Sequence, residues 1–220
     1  MRLSSFKAQA LTCASLLALV AFTAPTAQAA GPMAEAAPAY APLTVQVSQD
    51  VAGAQSFIDG MAQKAINFLA DQSMPQAQKT QKFKELLSSS FDLKTIGRFA
   101  LGRYWKTATP AQQAEYQGLF DKMVVKVYSQ RFKDYQGQQL VVDSAKAEGD
   151  KDVLVTSFII PSSGPKVQVD WRVRNKDGRH KIVDIIVEGV SMAVTQRSEF
   201  ASVIQAGGGN VSALIDHLKK

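Results

Sequence analysis

The sequence predicts an α+β fold, with an antiparallel sheet of about four strands flanked by helices on its N- and C-terminal sides. Three observations carry this expectation. Apolar residues recur at helical spacing from Asp50 to about Tyr135, they alternate with polar ones from Leu140 to Glu188, and helical spacing returns after Met192. Helices first, strands next and helices last is the order of segregated element types that defines the class.

Each element has its own signal. Asp50 is a candidate N-cap, and Ala54, Phe57, Ile58, Met61, Ala65, Phe68 and Leu69 then form one apolar stripe. Pro75 opens a second helix with Phe83, Leu86 and Leu87 on its apolar side, and the serines 88–90 end it. Asp92 caps a short third helix carrying Ile96, Phe99 and Ala100. Thr109, Pro110 and Gln112 supply an N-cap, a first-turn proline and a reciprocal third-position amide, which together spell a capping box. The helix that follows is expected to run to about Tyr135, with Phe120, Met123, Val124, Val127 and Tyr128 on one face and Gly137 as its stop.

The strands are expected at Leu140–Ser144, Val153–Ile160, Lys166–Arg174 and Lys181–Glu188. The third alternates most cleanly, with Val167, Val169, Trp171 and Val173 facing opposite to Gln168, Asp170, Arg172 and Arg174. The second is apolar on both faces and is expected to be central. Short turn-rich links at 161–165 and 175–178 fit antiparallel hairpins. Helices at Met192–Ala206 and Val211–Lys219, joined by three glycines, close the chain.

The first 29 residues read as a cleaved secretory signal. Arg2 and Lys7 precede an apolar run from Ala8 to Phe22, which is too short to span a bilayer, and Ala27-Gln28-Ala29 is a small-x-small cleavage pattern. Residues 30–49 are rich in Ala and Pro and are expected to form a flexible lead, so that 50–220 is one domain. Cys13 leaves with the signal, and a cysteine-free exported domain depends on core packing alone. With Arg2 and Lys7 removed from the 25 basic residues, 23 face 19 acidic ones. That excess permits contact with anionic headgroups or an acidic partner. It is too mild for a nucleic-acid footprint, which export also disfavours.

Catalytic chemistry finds little to stand on. Only His180 and His217 are present, which gives no His/Cys metal spacing, and no metal or cofactor is expected. Gly189-Val190-Ser191 lacks the second glycine of a nucleophile elbow, and Ser191 reads better as a helix N-cap. Asp184 and Glu188 lie about 13 Å apart along a strand, too far to share a proton, and are expected to pair with Arg172 or Arg174 across the hairpin. What stands out is an aromatic and basic run. Phe99, Leu101, Tyr104 and Trp105 are interleaved with Lys94, Arg98, Arg103 and Lys106, an arrangement that suits an amphiphile with an anionic head.

These residues also carry a resemblance. Phe91-Asp92-x-x-x-Ile96-Gly97-Arg98-Phe99-x-Leu101-Gly102-x-Tyr104-Trp105, Thr109-Pro110-x-Gln112 and Tyr135-x-Gly137 resemble the MlaC family, also called toluene-tolerance proteins. A second stretch, from Asp184 through Glu188-Gly189-Val190-Ser191 to Arg197-Ser198-Glu199-Phe200, looks like that family's other signature. The matches run in order from about Asp50 to Leu218. His180 stands where many members have Trp, and Thr195-Gln196 replaces a common Asn-Tyr pair.

The resemblance implies a twisted antiparallel sheet wrapped by helices, with a lipid pocket between them. It also implies a monomeric periplasmic phospholipid carrier, and no enzyme. Such a carrier would exchange lipid between an inner-membrane ABC transporter complex and an outer-membrane lipoprotein/porin complex, maintaining outer-membrane lipid asymmetry. Its tail pocket is expected at Phe99, Tyr104, Trp105, Phe120, Val124, Tyr128, Val155, Val169, Trp171, Val173, Ile185 and Val187. Headgroup or partner docking is expected at Lys94, Arg98, Arg103 and Lys106. The alternatives are a carrier of another lipid such as a hopanoid, a small α+β enzyme using Asp184 or His180, and a periplasmic adaptor or chaperone with an apolar groove.

Overall fold

The computed structural model describes residues 43–220, so the expected signal and residues 30–42 of the expected N-terminal lead lie outside the described residues. Its helices are α1 (Leu43–Ala70), α2 (Gln76–Ser90), α3 (Leu93–Leu101), α4 (Pro110–Ser129), α5 (Met192–Ala206) and α6 (Val211–Leu218). Between α4 and α5 lie the strands β1 (Gln139–Glu148), β2 (Asp152–Ile160), β3 (Val167–Lys176), β4 (Arg179–Val187) and β5 (Val190–Ser191). They form one antiparallel sheet in chain order, which is the α+β architecture the sequence predicts.

The local signals for helix starts hold, with one exception. Thr109 Oγ1 accepts from Gln112 N at 3.2 Å while Gln112 Oε1 accepts from Thr109 N at 2.9 Å, completing the capping box of α4. Asp92, Ser191 and Asn210 each accept a backbone N–H as N-caps of α3, α5 and α6. Asp50 is the exception. The helix begins at Leu43, with no Pro or Gly between them to stop it, and Asp50 lies inside α1. Its carboxylate instead receives Asn175 Nδ2 at 2.7 Å and lies 2.9 Å from His180 Nε2, tying α1 to the β3–β4 hairpin.

At its other end α4 is shorter than expected. It stops at Ser129, and a 3-10 turn at Phe132–Asp134 follows. Phe132 sits edge-on to Phe68 and Phe83, at centroid distances of 6.2 and 5.0 Å, so aromatic contact with α1 and α2 draws the chain away from the helix path.

Two-residue turns set the sheet's register. Asp177 and Gly178 join β3 to β4 with φ of 54° and 74°, and Glu188 and Gly189 join β4 to β5 with φ of 50° and 79°. Positive φ at both positions is the hairpin geometry that matches strand twist. The second turn creates β5, a strand absent from the expectation. β1 runs past its expected end because a bulge at Asp143 shifts the register and lets pairing continue to Glu148. β2, expected to be central, is an interior strand between β1 and β3.

Two apolar clusters hold the chain. In the first, Ala54, Ile58 and Met61 of α1 cover Val153, Val155, Val169, Trp171, Val173 and Ile182 on one sheet face. Inside it Trp171 Nε1 donates to Ser157 Oγ at 2.8 Å, and Ser157 Oγ donates to the Val169 carbonyl at 2.9 Å, so no polar group there is left unpaired. In the second, α3, α4, α5 and α6 pack around Tyr116, Phe120, Phe200, Ile204 and Leu214. Tyr116 Oη donates to the Gly97 carbonyl at 2.9 Å.

The expected pairing of Asp184 and Glu188 with Arg172 or Arg174 does not occur. Arg174 forks onto both Asp152 oxygens at 2.7 and 2.9 Å, and Arg172 reaches Glu148 at 3.4 Å, so both arginines turn toward the β1–β2 side. Asp184 and Glu188 bind backbone and hydroxyl donors instead.

The Asp92 cap has a pH signature. Burial opposes its charge, but hydrogen bonds from Thr95 Oγ1 and N, with Lys176 and Arg174 nearby, outweigh burial and hold its carboxyl below the usual range. A depressed folded pKa stabilises the fold above the unfolded value and loses that effect as pH falls through the folded one. Asp92→Ala is therefore expected to cost about 1 kcal/mol at neutral pH. In urea titrations that difference should shrink as pH drops below roughly 3.9; a pH-independent difference would contradict this account.

Candidate functional site

Where the sheet's β4 flank meets the helices, the two clusters leave a gap. α2 supplies Phe83 and Leu87, α3 supplies Leu93 and Ile96, and α4 supplies Phe120, Met123, Val124, Val127 and Tyr128. Ile185 of β4 and Met192 and Ala193 of α5 close the other side. The cleft holds about 220 Å³, and its only polar side chains besides Tyr128 are Asp184 and Gln196. Four other hollows, of about 260, 430, 500 and 510 Å³, are larger, but polar side chains supply half or more of the lining of each. An apolar cleft with few polar groups is the expected form of a binding site.

The polar end of the cleft is fully engaged. Asp184 accepts from Ser191 Oγ at 2.6 Å and from Ala193 N at 3.1 Å, while Ser191 Oγ also accepts from Val194 N at 3.1 Å. This reciprocal arrangement fixes the first turn of α5 against β4. It gives Ser191 no basic partner, since His180 is bound to Asp50 and stacks against Phe57 at 5.9 Å. Among the described residues no cluster of His, Cys, Asp and Glu could hold a metal ion.

The structure brings together four of the residues expected in a tail pocket: Phe120, Val124, Tyr128 and Ile185. It sets Val155, Val169, Trp171 and Val173 apart from this cleft, because α1 covers that part of the sheet and leaves them in a filled core. Tyr104 and Trp105 pack in the helical cluster. Val187 pairs with Val169 and Val190 at the end of β4. Phe99 is 41% exposed, with the Arg197 guanidinium 5.4 Å from its ring centroid. Lys94, Arg98, Arg103 and Lys106 are all exposed, Arg98 lying over Trp105 and Arg103 over Tyr104.

Several lining residues were not among those expected, notably Phe83, Leu87, Leu93, Ile96, Met123 and Val127. Their helical stripes are visible in the sequence, but which stripe faces a gap and which a core depends on where α1 docks. Asp184→Ala removes both acceptors at the start of α5, and a loss of roughly 1–3 kcal/mol in urea unfolding is expected. Asp184→Asn, which retains one acceptor oxygen, should lose less. Equal losses would place the effect elsewhere.

Comparison with known proteins gives the site a context. The family model described as MlaC protein matches residues 59–220. The toluene tolerance protein ttg2D of Pseudomonas putida is 28% identical over 114 residues, covering 52% of this chain and 53% of that protein. The intermembrane phospholipid transport system binding protein MlaC of Haemophilus influenzae is 26% identical over 121 residues, covering 53% of this chain and 56% of that one. The matches thus span about half the length of these two relatives. A phospholipid-binding protein from Ralstonia solanacearum, solved in complex with a phospholipid, superposes with a TM-score of 0.66 at 26% identity, covering 76% of this chain and 94% of that one. A match of the family model over nearly three-quarters of the chain shows that it belongs to the MlaC family.

Proposed function

We propose that this chain binds phospholipid and carries it through the periplasm, with acyl tails in the cleft between β4 and the helices. The observation that carries this reading is the apolar cleft in a chain whose solved neighbour was captured with a phospholipid. Burying one long acyl chain gains on the order of 12 kcal/mol relative to water, at about 0.8 kcal/mol per CH₂. A bilayer is equally dry, so such a carrier has only to match the membrane roughly and needs no covalent step. Its partners are the inner-membrane ABC transporter complex and the outer-membrane lipoprotein/porin complex. In that role it helps to maintain outer-membrane lipid asymmetry, and nucleotide use by the transporter supplies direction. Residues 1–29 act as the removed export signal and 50–220 as the lipid-binding domain. No helix among the described residues is long and apolar enough to cross a membrane.

The cleft is smaller than the roughly 300–1,000 Å³ of typical small-molecule pockets. Loading a two-chain lipid therefore requires α4 and α5 to move away from β4. The lining suits such movement, since Met123 and Met192 are unbranched side chains that adapt to irregular volumes.

Protein purified without detergent and extracted with organic solvent is expected to yield phospholipid in near-equimolar amount by mass spectrometry. Recovering none would sink the carrier reading. Val124→Trp, which fills the cleft, should reduce the recovered lipid several-fold, whereas Val141→Thr on the exposed edge strand should leave it unchanged.

A further inference from the structure

A second hollow, sharing no lining residue with the cleft, lies between α3 and α5 and holds about 260 Å³. Its charged residues are Arg103 and Arg197, both exposed, and no acidic side chain lines it. Among the described residues neither arginine forms an ion pair, and nor does the neighbouring Arg98. Each of the three guanidinium groups instead lies over an aromatic ring: Arg98 over Trp105 at 5.9 Å, Arg103 over Tyr104 at 5.0 Å and Arg197 over Phe99 at 5.4 Å.

A guanidinium held near a ring without a carboxylate partner keeps N–H groups free for forked binding of phosphate. Among the described residues only one of these N–H groups has a protein acceptor, Arg103 Nη2 donating to Tyr104 Oη at 3.0 Å. Gly102 makes room for the set. Its φ is 58°, and a Cβ there would come 2.8 Å from Arg197 Nε.

From this arrangement we infer that the face carrying Arg103, Arg197 and Phe99 docks on an anionic bilayer, the hollow receiving the phosphodiester of a headgroup. Unpaired guanidinium edges match a field of phosphates, and the exposed Phe99 ring beside them matches the apolar layer beneath it. The role of this contact rests on the carrier reading, since a lipid carrier has to meet membranes.

The test is flotation of the full chain with vesicles of phosphatidylcholine, alone or mixed with phosphatidylglycerol. The protein is expected to partition onto the mixed vesicles, less so as salt is raised, and Arg103→Gln and Arg197→Gln should each lower the partition about five-fold. Equal partition onto both vesicle types, or unchanged partition in the double variant, overturns the inference. So does an absence of vesicle binding, which would leave the face to an acidic protein partner. Inorganic phosphate titrated without vesicles separates the sources, because saturable phosphate binding in a protein that ignores vesicles marks a soluble-anion site and also overturns it. If a variant unfolds, the salt and lipid-charge dependence of the unaltered protein still decides. Lipid content is read separately. Arg197→Gln is expected to keep its extractable phospholipid; in the unaltered protein, cargo without vesicle binding fails this inference alone, and vesicle binding without cargo fails the carrier reading alone.

Discussion

α1 lies across the inner face of the sheet, packing most extensively on β1 and least on β4, and the rest of the molecule follows from that uneven coverage. Ala54, Ile58 and Met61 make a dry layer with Val153, Val155, Val169, Trp171 and Val173. On β4 the helix meets only the His180–Ile182 end, and α2, α3 and α5 supply further cover on that strand. An apolar sheet edge has to be buried against something. Here it meets a helical cluster with its own tightly packed centre around Tyr116 and Phe200, so the two packed regions touch without merging. The cleft is the seam between them.

A seam differs from a core in what moving it costs. Within either cluster, separating side chains opens voids in close-packed material, which is strongly unfavourable. Along the seam the contacts are between Ile185 and the outer residues of α3, α4 and α5, and part of that surface already meets solvent at Val127 and Tyr128. The polar device at one end, Asp184 with Ser191 and Ala193, keeps the start of α5 tied to β4. Opening for the proposed lipid would thus part this seam and leave both packed clusters intact. The arginine hollow lies outside this seam, on the α3–α5 face, so the proposed docking and loading would draw on different residues.

Much of this was legible because it depends on neighbours in sequence. The Thr109–Gln112 capping box, the Asp92 and Ser191 caps, the alternation in β3 and the hairpin at Asp177-Gly178 are all short-range effects, and each occurs as its residues indicate. Where the reading departs from the structure, a distant partner is responsible. Asp50 is a good cap by type, but Asn175 and His180 engage it inside a longer helix. Phe132 leaves the path of α4 because Phe68 and Phe83 offer an aromatic pocket. Arg174 pairs with Asp152, directly opposite it on β2, and Arg172 reaches Glu148, while Asp184 is taken by Ser191 and Ala193 at the start of α5.

The same division applies to the site. The sequence by itself determined the order of helices and strands, the caps that start them, the absence of a catalytic motif and the family signatures between Phe91 and Phe200. Each of these is written in residue type and spacing. Only the tertiary structure decided that Val155, Val169, Trp171 and Val173 are filled core, while Phe83, Ile96, Met123 and Val127 face open space. Apolar stripes of equal hydrophobicity are interchangeable to a periodicity argument. Which of them stays dry and closed is set by the docking of α1, a contact between segments more than 80 residues apart.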